Sequence, residues 1–143
     1  DQGRVNQNGA GSLDYVELAY ALTNKMTFGN VQNRAGQFAR PSLTSTTRAM
    51  EGALQSIPAD YRVFFTNPAG RDAYPVAGFT WILIYGDQAN PVKGRALVYF
   101  LGWATHDGQM YAAPLLYAPL PKSLVARIEQ TLKSVTIQGA AQP

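Results

Sequence analysis

The run from Phe79 to Tyr85, Phe-Thr-Trp-Ile-Leu-Ile-Tyr, decides the fold class that we expect for this chain. It is apolar and β-favouring throughout, and Gly78 and Gly86 bound it on either side. A run that is apolar on both alternating faces is typical of a central strand covered on both sides, as in α/β sheets. The sequence therefore predicts a central strand at this position.

Helical periodicity surrounds the run. Apolar residues recur at helical spacing in four segments, namely Glu17 to Asn24, Ser42 to Ser56, Pro91 to Thr105 and Pro121 to Val135. The last is the clearest, since one face carries Leu124, Val125, Ile128, Leu132 and Val135. Further strand candidates are Leu13 to Val16 and Tyr61 to Thr66. This mixture of helices and strands predicts an α/β fold.

Composition narrows the class of protein. The chain has 143 residues, of which 46% are hydrophobic, enough for one ordinary domain with a core. Its net charge of +3 comes from scattered Lys and Arg residues, so we expect no nucleic-acid partner. The longest apolar run is far shorter than the ~20 residues that span a bilayer, and we expect no direct membrane insertion. The chain opens Asp-Gln-Gly-Arg-Val, which suggests a processed product or a fragment.

No residue pattern points to catalysis. The absence of cysteine excludes thiolate metal sites, disulfides and Cys nucleophiles. His106 is the single histidine and is followed by Asp107, which favours a helix C-terminus over a catalytic group. The loop from Gly9 to Ser12 lacks the glycine spacing and the Lys of a phosphate-cradling loop, so a plain turn is favoured. We therefore expect no enzyme, no cofactor and no metal site, although phosphate-ester hydrolysis that depends on His106 would revive the enzyme alternative.

Several motifs, taken in order, resemble a known family. The first are Gly9 to Leu22, Gly-Ala-Gly-Ser-Leu-Asp-Tyr-Val-Glu-Leu-Ala-Tyr-Ala-Leu, and Gln32 to Phe38, Gln-Asn-Arg-Ala-Gly-Gln-Phe. The others are Asp72 to Val76, Thr80 to Tyr85, Asp87 to Gln88, Lys93 to Leu97, Phe100 to Trp103, His106 to Gln109 and Tyr117 to Pro121. Their order and spacing resemble the C-terminal half of the phosphate-binding proteins of bacterial phosphate ABC transporters. Asp14 departs from the glycine that the family usually has there.

The resemblance implies a two-lobed, periplasmic-binding-protein-like fold of type II, of which this chain supplies the C-terminal half. It implies that residues 1 to 73 are part of the second lobe and that residues 74 to 89 form a crossover strand and hinge. Residues 90 to 137 would be C-terminal helices that pack on the first lobe. Residues 138 to 143 have little to pack, and we expect a frayed tail there.

The resemblance also implies phosphate binding in the periplasm or cell envelope and delivery to the membrane subunits of an ABC transporter. The family holds phosphate with residues of its first half, notably an Arg followed by a Ser-Gly-Thr loop, and this chain contains no Ser-Gly-Thr. Ser12, Thr80 and Arg40 are polar residues that could be considered in place of those ligands, but no motif of the family marks them as such. We therefore assign no phosphate-binding residue. We expect inorganic phosphate to bind only with the missing N-terminal half. The alternative is a truncated or cleaved relative that acts as a structural subunit of a cell-envelope assembly.

Overall fold

Four α-helices dominate the computed structural model, which describes residues 11 to 141. They are α1 at Leu18–Thr23, α2 at Leu43–Ala53, α3 at Pro91–Thr105 and α4 at Lys122–Lys133. Short 3₁₀ helices follow α2 at Leu54–Ser56 and α3 at Asp107–Tyr111. All four predicted helices are confirmed.

Local sequence explains where α2 and α3 begin. At α2, the Ser42 hydroxyl accepts from the Ser45 backbone N–H, and the Ser45 hydroxyl accepts from the Ser42 N–H in return. At α3, the Asn90 side chain accepts from the N–H groups of Val92 and Lys93. Pro91 takes the first helical position, where its missing N–H costs nothing.

The strands of the described residues are short and form two small sheets. Val31–Gln32 (β1) pairs antiparallel with Phe38–Ala39 (β2). In the second sheet, Asp87–Gln88 (β3) pairs parallel with Thr136–Ile137 (β4), and β4 pairs antiparallel with Ala140–Ala141 (β5). The fold is therefore mixed α/β, as predicted at that coarse level.

The predicted central strand from Phe79 to Tyr85 is wrong for this structure. That run has no regular secondary structure, and neither has Leu13 to Val16. Between Tyr61 and Thr66 the structure has only an isolated antiparallel bridge, which joins Thr66 to Val76. The physical reason is that a strand needs a partner backbone, and no described residue pairs with the backbone between Phe79 and Ile84.

The core is small and lies under α2. Its main cluster consists of Ala49, Met50, Ala53, Phe65 and Ala73, and other buried apolar residues, among them Leu101 and Leu124, lie outside this cluster. The Phe65 and Phe79 rings meet edge to face with their centroids 4.7 Å apart. Many large apolar side chains remain outside this core, which leaves extensive apolar surface exposed.

Helix α4 packs against α3. Of the five apolar positions predicted to be buried, the structure buries Leu124, Leu132 and Val135. Val125 and Ile128 are only half-buried, so that part of the prediction is corrected.

The C-terminal segment is held at residues where we expected it to fray. Residues 138 to 141 complete a hairpin with β4, while Gln142 and Pro143 lie outside the described residues, as do Gly9 and Ala10 of the glycine loop. The Asp87 carboxylate accepts from the Thr136 hydroxyl at 2.7 Å and from the Gly139 N–H at 2.9 Å. These hydrogen bonds join residues about fifty positions apart in the sequence. The composition of the C-terminal residues alone could not predict them.

We expect Asp87→Ala to loosen this hairpin. The hydrogen bonds from Gly139 and Thr136 lower the pKa of Asp87, so its contribution is complete above the ordinary carboxyl pKa of about 3.9 and is lost as pH falls through the lower folded pKa. Hydrogen exchange of residues 136 to 141 at neutral pH should be faster in Asp87→Ala than in the unaltered chain. Asp107→Ala, which alters an exposed aspartate outside the hairpin, is the control. Equal protection in both variants would contradict the assigned role.

Candidate functional site

A cleft of about 1340 Å³ lies beside α2. Residues 12 to 31, including part of α1, form one side, and residues 74 to 80 and 116 to 120 contribute to the rest. Most of its lining is apolar, including Leu13, Val16, Met26, Phe28, Met50 and Phe79. Such a lining favours apolar contact over the recognition of a small anion.

The charged groups that line this cleft do not suit phosphate. They are Asp14, Glu17 and Lys25, two carboxylates against one cation. A hydrogen bond to the Glu17 carboxylate raises the pKa of Tyr117, so this hydroxyl already donates to a protein group. An anion removed from water needs several converging donors, and this cleft presents more negative than positive charge.

A smaller hollow of about 300 Å³ lies at the start of α2. Arg40, Arg71 and Asp72 line it together with the hydroxyls of the helix cap. The Ser45 hydroxyl donates to the Arg40 carbonyl at 2.7 Å, and the Arg40 guanidinium lies 5.6 Å from the centre of the Phe28 ring. The hollow is polar, but its serine hydroxyls are committed to the cap and Asp72 offsets part of its positive charge.

The structure does not bring Ser12, Thr80 and Arg40 together, the three polar residues that no family motif marks as phosphate ligands. Ser12 and Thr80 line the large cleft, whereas Arg40 lines the hollow. The described part of the chain therefore does not bring them together in one concavity.

His106 lies at the C-terminus of α3, as predicted. Its Nδ1 is 2.9 Å from the Gly102 carbonyl oxygen, a geometry in which Nδ1–H donates. Its Nε2 is 3.9 Å from Glu129 on α4, and the Lys133 ammonium, which lies 2.8 Å from that carboxylate, is the main cause of the lowered pKa of Glu129. His106 thus lies between the end of α3 and Glu129 of α4. Within residues 11 to 141, no three His, Cys, Asp or Glu side chains cluster as a metal site would require.

The motif from Gln32 to Phe38 contains a buried hydrogen-bonding centre that sequence reasoning missed. Asn33 is 4% exposed. Its Nδ2 donates to the Arg71 and Ala73 carbonyls, and its Oδ1 accepts from the N–H groups of Ala35 and Gln37. The side chain therefore joins the β1–β2 turn to a segment about forty residues away. The sequence signal for this role was weak. Asn33 lies three residues before Gly36, and the β-favouring residues Val31 and Phe38 flank the pair.

None of the described helices is both long and apolar enough to cross a membrane. The longest, α3, has 15 residues. A spanning helix needs about 20.

Comparison with known proteins identifies the chain's relatives. No family model matches it. It is 40% identical over 119 residues to the phosphate-binding protein PstS of Xylella fastidiosa strain 9a5c, an alignment that covers 83% of this chain and 33% of the relative. Identity to the Pasteurella multocida protein of the same name is 33% over 123 residues, which cover 86% of this chain and 36% of the relative.

An archaeal protein of the same name also matches. Identity to the Methanocaldococcus jannaschii protein is 32% over 130 residues, with 82% of this chain and 33% of the relative covered. The chain spans about one third of the length of the curated relatives it matches. The resemblance drawn from the motifs is therefore confirmed, and over most of its own length the chain is similar to about one third of a phosphate-binding protein of the PstS kind.

Proposed function

We propose that this chain is part of a phosphate-binding receptor and that a companion segment supplies the groups that hold the ion. The observation that carries the proposal is the identity of 32% to 40% with proteins named for phosphate binding, over more than four fifths of this chain. The receptor would work in the periplasm or cell envelope and pass phosphate to the membrane subunits of an ABC transporter. It would not be an enzyme.

The chain's charge distribution supports the need for a companion segment. The large cleft is mostly apolar and has a carboxylate excess, and in the hollow at α2 the two serines cap the helix and Asp72 lies beside the two arginines. Transferring a phosphate ion from water to the cleft would leave much of its charge without a hydrogen-bonding partner. The proposal therefore assigns most of the donors that hold phosphate to the companion segment.

The exposed apolar surface also supports the proposal that a companion segment is needed. In a two-lobed receptor of type II, residues 1 to 73 would belong to the second lobe, residues 74 to 89 would cross back as strand and hinge, and residues 90 to 137 would pack on the first lobe. Tyr99 is 80% exposed and Phe100 is 54% exposed on α3, within the segment that would pack there. A first lobe would cover these side chains and remove their apolar surface from water.

The test is calorimetric titration of inorganic phosphate into two proteins. One is this chain alone, and the other is a chimera in which the part of the Xylella fastidiosa protein that precedes the matched segment is joined to this chain. We expect no binding by the chain alone below about 1 mM phosphate, and a Kd of about 1 μM or tighter for the chimera. The Xylella fastidiosa part by itself is the control, and it should not bind at micromolar concentration.

Two outcomes would overturn the proposal. Micromolar binding by the chain alone would show that its own residues suffice. A chimera that unfolds cooperatively on heating, and so is folded, yet does not bind phosphate would favour the alternative, a structural subunit of a cell-envelope assembly. Thermal melting of the chimera therefore accompanies the titration.

A further inference from the structure

One edge of β3 has no neighbouring strand among the described residues. The carbonyls of Gly86 and Gln88 accept from the N–H groups of Thr136 and Gln138, on the side where β4 lies. Because backbone groups alternate between the two edges along a strand, those of Asp87 face away from β4. The sheet order is β3, β4, β5, so the described strands leave that side of β3 open.

This open edge continues into the residues before β3. By the same alternation, Leu83 and Tyr85 take the edge of Asp87 when the run that precedes β3 is extended. No described residue donates to or accepts from the backbone of residues 79 to 84, and the Tyr85 carbonyl accepts only from the Gln88 side chain. We call the backbone groups of Leu83, Tyr85 and Asp87 the open edge.

The run that carries the open edge is held at both ends. The Phe79 and Phe65 rings meet edge to face, and the Trp81 indole donates to the Tyr61 carbonyl at 2.8 Å. At the other end the run continues into β3, which is paired with β4. Only residues 82 to 85 lie between these attachments, so a partner strand would have to order only a few residues.

The open edge has none of the features that protect an exposed strand. Edges that remain in solvent usually carry lysine, proline or a bulge. Residues 79 to 86 contain no charged residue and no proline. The Asp87 carboxylate is already engaged by Thr136 and Gly139 of the hairpin. This composition is typical of a strand that is covered in the complete protein.

The two faces of the run favour a larger partner than a second copy. Leu83 is 92% exposed and Tyr85 is 83% exposed on one face, and Ile82 is 68% exposed on the other. A second copy paired along the edge would leave these side chains in water, because its own run is uncovered in the same way. A strand that is apolar on both faces needs a covering layer on each of them. About two thirds of the Xylella fastidiosa relative lies outside the aligned part, which is enough chain to supply a strand and such layers.

We propose that the companion segment supplies a β-strand that pairs with the open edge, on the side of β3 away from β4. The inference rests on the proposed function, because it identifies where the companion segment joins this chain. Pairing makes the run from Phe79 to Tyr85 part of an interior strand, which is the structure that its residues favour. The partner strand is itself rich in apolar residues, since it lies between the same two covering layers.

Hydrogen exchange followed by NMR tests the pairing in two proteins, this chain alone and the chimera with the Xylella fastidiosa part, both without phosphate. We expect the amides of Leu83, Tyr85 and Asp87 to exchange at least about 100-fold more slowly in the chimera, because a ladder hydrogen bond protects an amide from exchange. The Gln138 amide is the control. It already donates to Gln88 in this chain and should be protected in both proteins.

Three results of this experiment would overturn the inference. The first is fast exchange of the open edge in a chimera that melts cooperatively. The second is a chimera without cooperative melting, because the companion segment would then not have completed the sheet. The third is protection of the open edge in the chain alone together with a dimer in sedimentation equilibrium, which would assign the edge to a second copy.

Leu83→Pro tests the same edge by removing one of its N–H groups. We expect the melting temperature of the chimera to fall by several degrees, since proline cannot donate to a ladder, and that of the chain alone to change little. Leu83→Ala keeps the N–H and is the control, which should lower the melting temperature of the chimera less than Leu83→Pro does. An equal fall for Leu83→Pro in both proteins would contradict the pairing.

The pairing and the receptor role can fail independently, because none of these measurements involves phosphate. A chimera that protects the open edge but does not bind phosphate would refute the receptor role alone. A chimera that binds phosphate while the open edge exchanges freely would refute the pairing alone.

Discussion

Gly52→Ala should destabilise this chain by about 3 kcal/mol, although the same change in most helices is stabilising. Gly52 lies within α2, where the 67–70 turn crosses the helix closely. A Cβ atom at this position would lie 1.8 Å from the Ala69 carbonyl oxygen and 2.9 Å from its carbonyl carbon. Both atoms belong to the backbone, so no side chain can rotate away and either α2 or the turn must move.

The matched control is Gly102→Ala in α3. A Cβ atom there meets nothing within 4 Å, so this variant should gain up to about 1 kcal/mol from the higher helix propensity of alanine. Urea unfolding followed by circular dichroism gives both free energies. The close packing of α2 against Ala69 would be refuted if the two variants were stabilised equally.

Asn33→Asp should cost about 3 kcal/mol at neutral pH. The substitution preserves the shape of the side chain and its acceptor for the Ala35 and Gln37 N–H groups. It replaces the Nδ2 donor, however, by a carboxylate oxygen that faces the Arg71 and Ala73 carbonyl oxygens at about 3 Å in a buried site. The introduced charge has no donor on that side, so the charged form is disfavoured.

The pH dependence of this variant follows from the same contacts. Burial and the facing carbonyl oxygens raise the pKa of the introduced carboxyl, so the protein is least stable when pH is above that raised value. Part of the lost stability should return as pH falls through it, because the protonated acid can donate one hydrogen bond. Thermal unfolding between pH 4 and 7 measures this recovery.

Asn30→Asp is the control for this substitution, because Asn30 is exposed in the same part of the chain. Its stability should stay within about 0.5 kcal/mol of the unaltered chain. A similarly small effect in Asn33→Asp would mean that the four hydrogen bonds of Asn33 do not support the fold.

The candidate site shows the limit of sequence reasoning about function. The motifs predicted the relatives, since motif order along the chain is a property of the sequence alone. They did not predict the apolar cleft, which depends on how residues 12 to 31 lie against α2 and the segment from 74 to 80. They also did not predict that Asn33 joins two segments, since its partners Arg71 and Ala73 lie about forty residues away.

The sequence by itself determined the helices. The cap at Ser42, the Asn90–Pro91 start of α3 and the apolar stripe of α4 act over a few residues, so their outcome does not depend on distant parts of the chain. The tertiary structure alone decided the strands. Phe79 to Tyr85 has every local preference for β structure yet remains unpaired, whereas Ala140–Ala141 in the tail is paired through β4 and the Asp87 contacts. A helix satisfies its backbone hydrogen bonds within its own segment, but a strand requires a second backbone that only the tertiary structure can bring alongside.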